Sequence, residues 1–146
     1  MFKFYKEILK DDEIELVIER TAEEDQEKGY VPAYYFNIVK DNVIIGCIDC
    51  RIGYNENIYY GGNVGYTISE AYRGCSYATK AVLLLKELAR KHNMSYLMIT
   101  CNPDNIASKR TCEKAGAEFV EKVELPEDND MALSGEKEKL IFKLMV

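Results

Sequence analysis

The chain has 146 residues, of which 47% are hydrophobic and 30% are charged. These values are ordinary for a globular protein, so we expect one domain over residues 1–146. The 25 acidic residues outnumber the 19 lysines and arginines, for a formal net charge of −6. That sign argues against nucleic acid as a partner and is compatible with an amine substrate, although acidic surfaces mostly serve solubility.

The N-terminus carries charges throughout and lacks the apolar stretch of a secretory signal. No apolar run approaches the ~18 residues that a membrane span needs. The odd number of cysteines fits reduced thiols, so we expect a cytoplasmic protein with no membrane partner. No metal is expected either: His92 is the lone histidine, and Cys47 and Cys50, three apart in a predicted strand, point to opposite faces.

Four strands are predicted in the first half of the chain. Alternating or continuous apolar residues place them at 13–20, 34–39, 43–52 and 59–68. A polar short helix or loop is expected at 21–29. Lys40-Asp41-Asn42 predicts a turn, and Gly61-Gly62 predicts a bend or bulge.

The second half alternates helices with strands. Helical periodicity from Ala78 to Ala89 predicts an amphipathic helix that ends near His92. A buried strand at 96–100 follows, then a helix at 106–115 that Gly116 stops, then strands at 117–125 and 138–146 with an acidic, mobile segment at 126–135 between them. This order predicts an α/β fold: a mixed sheet with a central βαβ unit and flanking helices.

The junction RGCSYA (residues 73–78) has the features of an anion site. It begins a helix, whose first turn offers unpaired N–H groups and the positive end of the dipole. Gly74, Ser76 and Ala78 leave the backbone accessible, and Arg73 adds a charged fork. An ordinary helix start has the same composition, so both interpretations stay open.

A second polar group follows the strand at 96–100. Asn102 and Asn105 lie where an amide-bearing ligand between two strand ends would meet them. Ser108 and Cys112 follow at helical spacing on one face. Taken separately, the asparagines are equally well explained as turn and cap residues, and Cys112 as core packing.

Taken together, these segments resemble the GNAT superfamily of acyl-CoA N-acyltransferases. RGCSYA is similar to the family's pyrophosphate motif, Arg/Gln-x-x-Gly-x-Gly/Ala. The stretch CNPDNIASKRTCEKAGAEF (residues 101–119) is similar to its Asn-x-x-Ala/Ser…Glu-Lys-x-Gly segment. The resemblance covers residues 64–119 well and the outer strands by order only.

The resemblance implies acetyl-CoA as co-substrate. The pyrophosphate would bind backbone amides from Gly74 to Thr79, and the pantetheine would pair with residues 66–68 and Asn105. The thioester would lie where two parallel strands separate, near Ile68 and Thr100. The implied cofactor-binding residues are Tyr66, Ile68, Arg73, Gly74, Cys75, Ser76, Tyr77, Ala78, Thr79, Asn102, Asn105 and Ser108.

Two positions depart from the family pattern. Ser76 replaces a glycine, and we expect it to act as an N-cap with an ordinary negative φ and a hydroxyl that can donate to phosphate. Cys112 replaces a tyrosine that, in many members, protonates the leaving thiolate. A thiol can in principle serve as that acid, or Cys112 can be inert packing.

The family reaction is direct attack of a neutral amine on the thioester, with the oxyanion held by backbone N–H near Ile68. Asp49 and Glu70 are the candidate bases, although both have alternative roles as surface or turn carboxylates. The expected acceptor is the primary amine of a small molecule. A protein or peptide amine and a non-catalytic acyl-CoA-binding module are the alternatives, and an edge strand near the C-terminus allows a homodimer.

Overall fold

Eight strands form two antiparallel sheets in the computed structural model, which describes residues 2–146. The strands are β1 (Leu9–Lys10), β2 (Glu15–Ala22), β3 (Ala33–Lys40), β4 (Val43–Arg51), β5 (Val64–Ile68), β6 (Tyr96–Cys101), β7 (Glu118–Glu124) and β8 (Glu138–Met145). The helices are α1 (Glu56–Gly61), α2 (Tyr77–Lys91), α3 (Ile106–Ala115) and α4 (Asp130–Leu133). The first sheet has the order β1-β2-β3-β4-β5 and the second the order β6-β8-β7.

The predicted α/β class is confirmed, and β5, α2 and β6 follow one another as predicted. The predicted arrangement of all strands in one mixed sheet is wrong, because β5 and β6 are edge strands of different sheets. Within the described residues, no ladder joins these two edges. This separation is the feature of the fold that creates a cleft.

The hairpin between β3 and β4 forms at the predicted turn. Lys40 pairs with Val43, and the two residues between them, Asp41 and Asn42, have φ of 48° and 64°. Two consecutive positive φ angles define the tight turn whose twist matches the flanking strands, and Asp and Asn tolerate them better than most residues.

The strand predicted at 59–68 is wrong over its first part, which belongs to α1. The Asn55 side chain accepts the Ile58 N–H at 2.9 Å and so begins this helix, and Ile58 is buried. Tyr59 and Tyr60 favoured the strand interpretation because tyrosine has a high strand propensity. The cap and the burial of Ile58 override that propensity.

One predicted loop contains a short helix, and the segment predicted as a short helix or loop at 21–29 is mostly a loop. The segment 126–135, predicted to be mobile, contains α4, which begins where the Asn129 side chain accepts the Met131 N–H at 2.9 Å. Strand β2 extends to Ala22, and the following residues form a turn closed by a bridge between Asp25 and Tyr30. Residues 23–32 therefore contain no helix.

The core lies between α2 and one face of the sheets. Helix α2 buries the face that its periodicity predicted, including Val82, Leu85 and Leu88. Ile48 and Phe36 from the first sheet belong to the same apolar cluster. Each such side chain contributes ~1.5–3 kcal/mol on burial, so this face holds α2 against the sheets.

Asn63 joins the two sheets immediately before β5. The residue is fully buried, and its backbone N–H donates to the Met98 carbonyl at 2.7 Å while its side-chain oxygen accepts the Met98 N–H at 2.8 Å. Its amide nitrogen donates to the carbonyls of Arg51 and Gly53, each at 2.9 Å. Gly62 permits this approach: its φ is 81°, and a Cβ there would lie 3.1 Å from the Met98 oxygen.

Replacing Asn63 with Ala should lower the free energy of unfolding by about 3 kcal/mol or more. The change leaves the buried Met98 N–H and two partly buried carbonyls without the Asn63 side chain as partner, at up to ~1–3 kcal/mol each. Urea unfolding followed by circular dichroism measures the loss. The control is Asn57→Ala, an exposed amide, which should stay within about 0.5 kcal/mol of wild type. Equal small losses in both variants would contradict the role given to Asn63.

Candidate active-site cleft

A cleft of about 690 Å³ lies between the end of β5, the start of α2 and one face of α3. Ten of the twelve residues predicted to bind the cofactor line it: Tyr66, Ile68, Arg73, Gly74, Ser76, Tyr77, Ala78, Thr79, Asn105 and Ser108. Residues from three separate elements therefore meet around one space, as the paired motifs suggested.

The remaining two lie outside the cleft lining. Cys75 is exposed, with its sulfur 3.9 Å from the Arg73 carbonyl oxygen. Asn102 follows the last residue of β6 and lies near Glu136. The pKa of Glu136 is lowered first by its hydrogen bond to Lys139 and also by the Asn102 amide. The buried side-chain oxygen of Asn102 has no hydrogen-bond partner among the described residues.

Helix α3 contributes lining residues that sequence reasoning missed. They are Ala107, Arg110, Thr111 and Lys114. These residues recur at intervals of three and four, which places them on one face of a helix. The predicted helix, with Ser108 as a predicted lining residue, was therefore enough to predict them from the sequence. The further lining residues not predicted are Tyr72 and Ile106, while Thr67 lies within the stretch 66–68 that was expected to pair with the pantetheine.

The lining is cationic in an acidic chain. Arg73, Arg110 and Lys114 contribute positive charge, and no aspartate or glutamate lines the cleft within the described residues. The N-terminus of α2 adds its unpaired N–H groups and its dipole at the same place. Against a net charge of −6, this concentration of positive charge selects an anion.

Ser76 precedes α2 in an unexpected conformation. Its φ is 65° and its ψ is 19°, which is left-handed, so the predicted ordinary φ is wrong. Its side chain makes no capping hydrogen bond to α2, and Lys114 Nζ donates to its hydroxyl at 3.0 Å instead. A side chain in this conformation costs ~1–2 kcal/mol, so Ser76 holds at some cost a backbone shape that glycine adopts more easily.

The opposite end of the cleft carries hydroxyl groups. The phenol oxygen of Tyr66 on β5 lies 2.7 Å from Ser108 Oγ on α3. The Asn105 side chain accepts the Ser108 N–H at 3.1 Å and fixes the first turn of α3, which confirms the predicted cap. Burial raises the pKa of Tyr66, so the phenol stays protonated at neutral pH.

Cys112 lies in the core and does not line the cleft. The side chain is fully buried, and burial raises the pKa of its thiol to about 12. Such a thiol remains neutral and has no open path to a ligand in the cleft. Its position favours the packing interpretation.

The two carboxylate candidates have different surroundings. Glu70 is exposed in the 3₁₀ turn that follows β5. Asp49 lies on β4 opposite Gly65, on the sheet face away from the core that its neighbour Ile48 enters. Burial raises the pKa of Asp49 despite the Arg51 guanidinium, whose Nη1 is 3.2 Å from Oδ1 without hydrogen-bond geometry.

The family assignment comes from comparison with known proteins. Residues 1–118 match the family model described as acetyltransferase (GNAT) domain. The chain belongs to the GNAT acetyltransferase family. No curated protein matches this GNAT chain significantly, and no helix of residues 2–146 is long and apolar enough to cross a membrane.

Solved structures share the fold of this GNAT acetyltransferase at low identity. RimL, a ribosomal L7/L12 α-N-protein acetyltransferase in complex with coenzyme A, superposes with a TM-score of 0.70 at 16% identity, covering 96% of this chain and 98% of RimL. A putative ribosomal-protein-serine acetyltransferase from Vibrio cholerae gives 0.66 at 16% identity, with 95% and 97% covered. The microcin C7 self-immunity acetyltransferase MccE, in complex with acetyl-CoA and AMP, gives 0.62 at 19% identity. That match covers 83% of this chain, which spans 63% of the MccE chain.

Replacing Ser76 with Gly should raise the free energy of unfolding of the unliganded GNAT domain by about 0.5–1 kcal/mol. Glycine adopts a positive φ without the Cβ clash, and this gain exceeds its entropy cost. Thermal and urea unfolding measure the change. In the control Ser69→Gly, φ is −58°, so the same substitution should destabilise. A loss of stability in both variants would show that the left-handed conformation of Ser76 carries no strain.

Proposed function

We propose that this cleft binds acetyl-CoA and that the protein transfers the acetyl group to a primary amine. The observation that carries the proposal is the meeting of a cationic helix N-terminus with a second cationic helix face in an acidic protein. The backbone from Gly74 to Thr79 would hold the pyrophosphate, with Arg73 and Lys114 beside it. Arg73 is already oriented, because its Nε donates to the Ile68 carbonyl at 2.9 Å.

The free edge of β5 suits the pantetheine arm. In the first sheet, β5 pairs only with β4, so the backbone groups of its other edge are free for a ligand amide. Backbone N–H groups near Ile68 would stabilise the oxyanion that forms when the amine attacks. Holding both reactants in this cleft would supply much of the rate enhancement.

Asp49 is the base that we favour. A protonated amine must lose a proton before it attacks, and a partly buried carboxylate with a raised pKa is a stronger base than an exposed one. Gly65 opposite it has no side chain, and the Asp49 carboxyl occupies the space there: a Cβ on Gly65 would lie 3.0 Å from Asp49 Oδ2. Ordered water would connect it to the amine. Glu70, being exposed in a turn, has no comparable environment.

The acceptor that we propose first is the amine of a small molecule. One observation favours a peptide amine as the second candidate: residues 23–32 form a turn and contain no helix, so no helix of this segment covers the sheet face that carries Asp49. An open face admits an extended chain as well as a small amine. The ribosomal-protein acetyltransferases of similar fold make this second candidate worth testing directly.

Calorimetric titration with acetyl-CoA and CoA should show one site per chain. Ser76→Asp should abolish binding, because it places a negative charge where the pyrophosphate would lie. Lys114→Gln should weaken binding on the order of tenfold by removing one charged hydrogen bond. The control Lys122→Gln, an exposed lysine paired with Glu138 on the second sheet, should bind as wild type does. Wild type that binds neither species would contradict the proposal.

Release of CoA thiol should be measured with small primary amines and with short peptides that carry a free N-terminus. Asp49→Asn should lower kcat by about 10²–10⁴-fold while leaving the Kd for acetyl-CoA unchanged, as expected for a lost base. Glu70→Gln should lower kcat by less than tenfold. A larger loss of kcat for Glu70→Gln than for Asp49→Asn would assign the base to Glu70. Activity on peptides but not on small amines would show that the acceptor is a peptide amine.

A further inference from the structure

The two ends of the cleft differ in chemistry. Lys114 and Ser76 meet at the cationic end, while Ser108 and Tyr66 meet at the hydroxyl end. Ser108 and Lys114 are six residues apart on α3, which is about 9 Å along the helix axis. A ligand with phosphates at the cationic end would therefore extend its uncharged arm towards Tyr66.

The leaving sulfur needs a hydrogen-bond donor at that end. Cys112 is enclosed in the core and cannot supply one. Thr111 directs its hydroxyl to the Ala107 carbonyl at 3.1 Å. Tyr66 and Ser108 remain, and their hydroxyl oxygens are 2.7 Å apart. When the Ser108 hydroxyl donates this hydrogen bond, the Tyr66 hydrogen is left for a ligand in the cleft, with the Ser108 carbonyl at 3.4 Å as its competing acceptor.

We propose that Tyr66 is the catalytic acid, donating its phenol hydrogen to the departing CoA sulfur while Ser108 positions the ring. This inference rests on the proposed function. The amine nitrogen forms a bond to the acetyl carbon, the carbon–sulfur bond breaks, and its electron pair goes to sulfur. The phenol proton moves to sulfur, and the proton released by the attacking nitrogen returns to the phenolate through Ser108 and water.

The placement of Tyr66 explains how this chain functions with a cysteine at position 112. The hydroxyl comes from β5 and reaches α3 across the cleft, so the donor approaches from the opposite wall. Burial raises the pKa of the phenol, which keeps the donor protonated before the carbon–sulfur bond breaks. After burial, the groups that act on its pKa are the Ser108 and Thr111 hydroxyls on α3, which lower it, and the buried thiols Cys112 on α3 and Cys101 on β6, which raise it.

A test without any acceptor uses CoA itself. The pKa of the bound CoA thiol is read from thiolate ultraviolet absorbance, with the desulfo-CoA complex as the blank that subtracts the protein's own thiols. Arg73, Arg110 and Lys114 are present in all variants, so their effect on the bound thiol cancels in the comparison. A phenol hydrogen bond to a thiolate should favour ionisation on the order of tenfold or more over Tyr66→Phe.

The control is Tyr5→Phe. The Tyr5 hydroxyl of wild type contacts the Lys91 carbonyl at the far end of α2, so CoA bound to this variant should titrate as it does in wild type. Ser108→Ala should shift the thiol pKa in the same direction as Tyr66→Phe, and it replaces that variant if Tyr66→Phe does not fold. Equal thiol pKa values in wild type and Tyr66→Phe would overturn the role of Tyr66 alone. If wild type binds neither CoA nor desulfo-CoA, both the role of Tyr66 and the proposed function are overturned.

Discussion

The hydrogen bonds of Asn63 determine where the two sheets touch and where they part. Its backbone and side chain together satisfy both polar groups of Met98 on the β6 side and two carbonyls at the end of β4. A buried amide with all its partners present is a strong positional constraint, because any shift leaves several groups unpaired. Beyond this point β5 and β6 form no ladder, so the edge of β5 is available and the cleft exists.

The cleft has a positive charge and a strained backbone, two features that cost stability. The chain is acidic overall, yet the lining contributed by α2 and α3 is cationic. Ser76 adopts a left-handed conformation there, a strain that proteins tend to keep at ligand sites. Asp49 is held with a raised pKa on the neighbouring strand. The cationic lining and the strained Ser76 occur around one cleft, which fits a site selected for binding and chemistry rather than for stability.

The sequence predicted what local rules determine. The periodicity of α2, the turn at Asp41 and Asn42, and the cap at Asn105 depend on neighbours in the chain, and each was found. The errors arose where distant contacts decide. Helix α1 depends on the burial of Ile58, the split between sheets depends on Asn63 meeting Met98, and Lys114 reaches Ser76 from 38 residues away. The φ of Ser76 was also missed, because residue type alone argues against it.

The central claim is that an acyl-CoA ligand occupies the space between the free edge of β5 and the start of α2. Hydrogen exchange of the backbone amides, measured with and without CoA, tests it directly. The account predicts added protection at residues 66–68 and 74–79 together, with little change in the β7–β8 hairpin. Binding of CoA that protects some other surface and leaves both of these segments unchanged would contradict it.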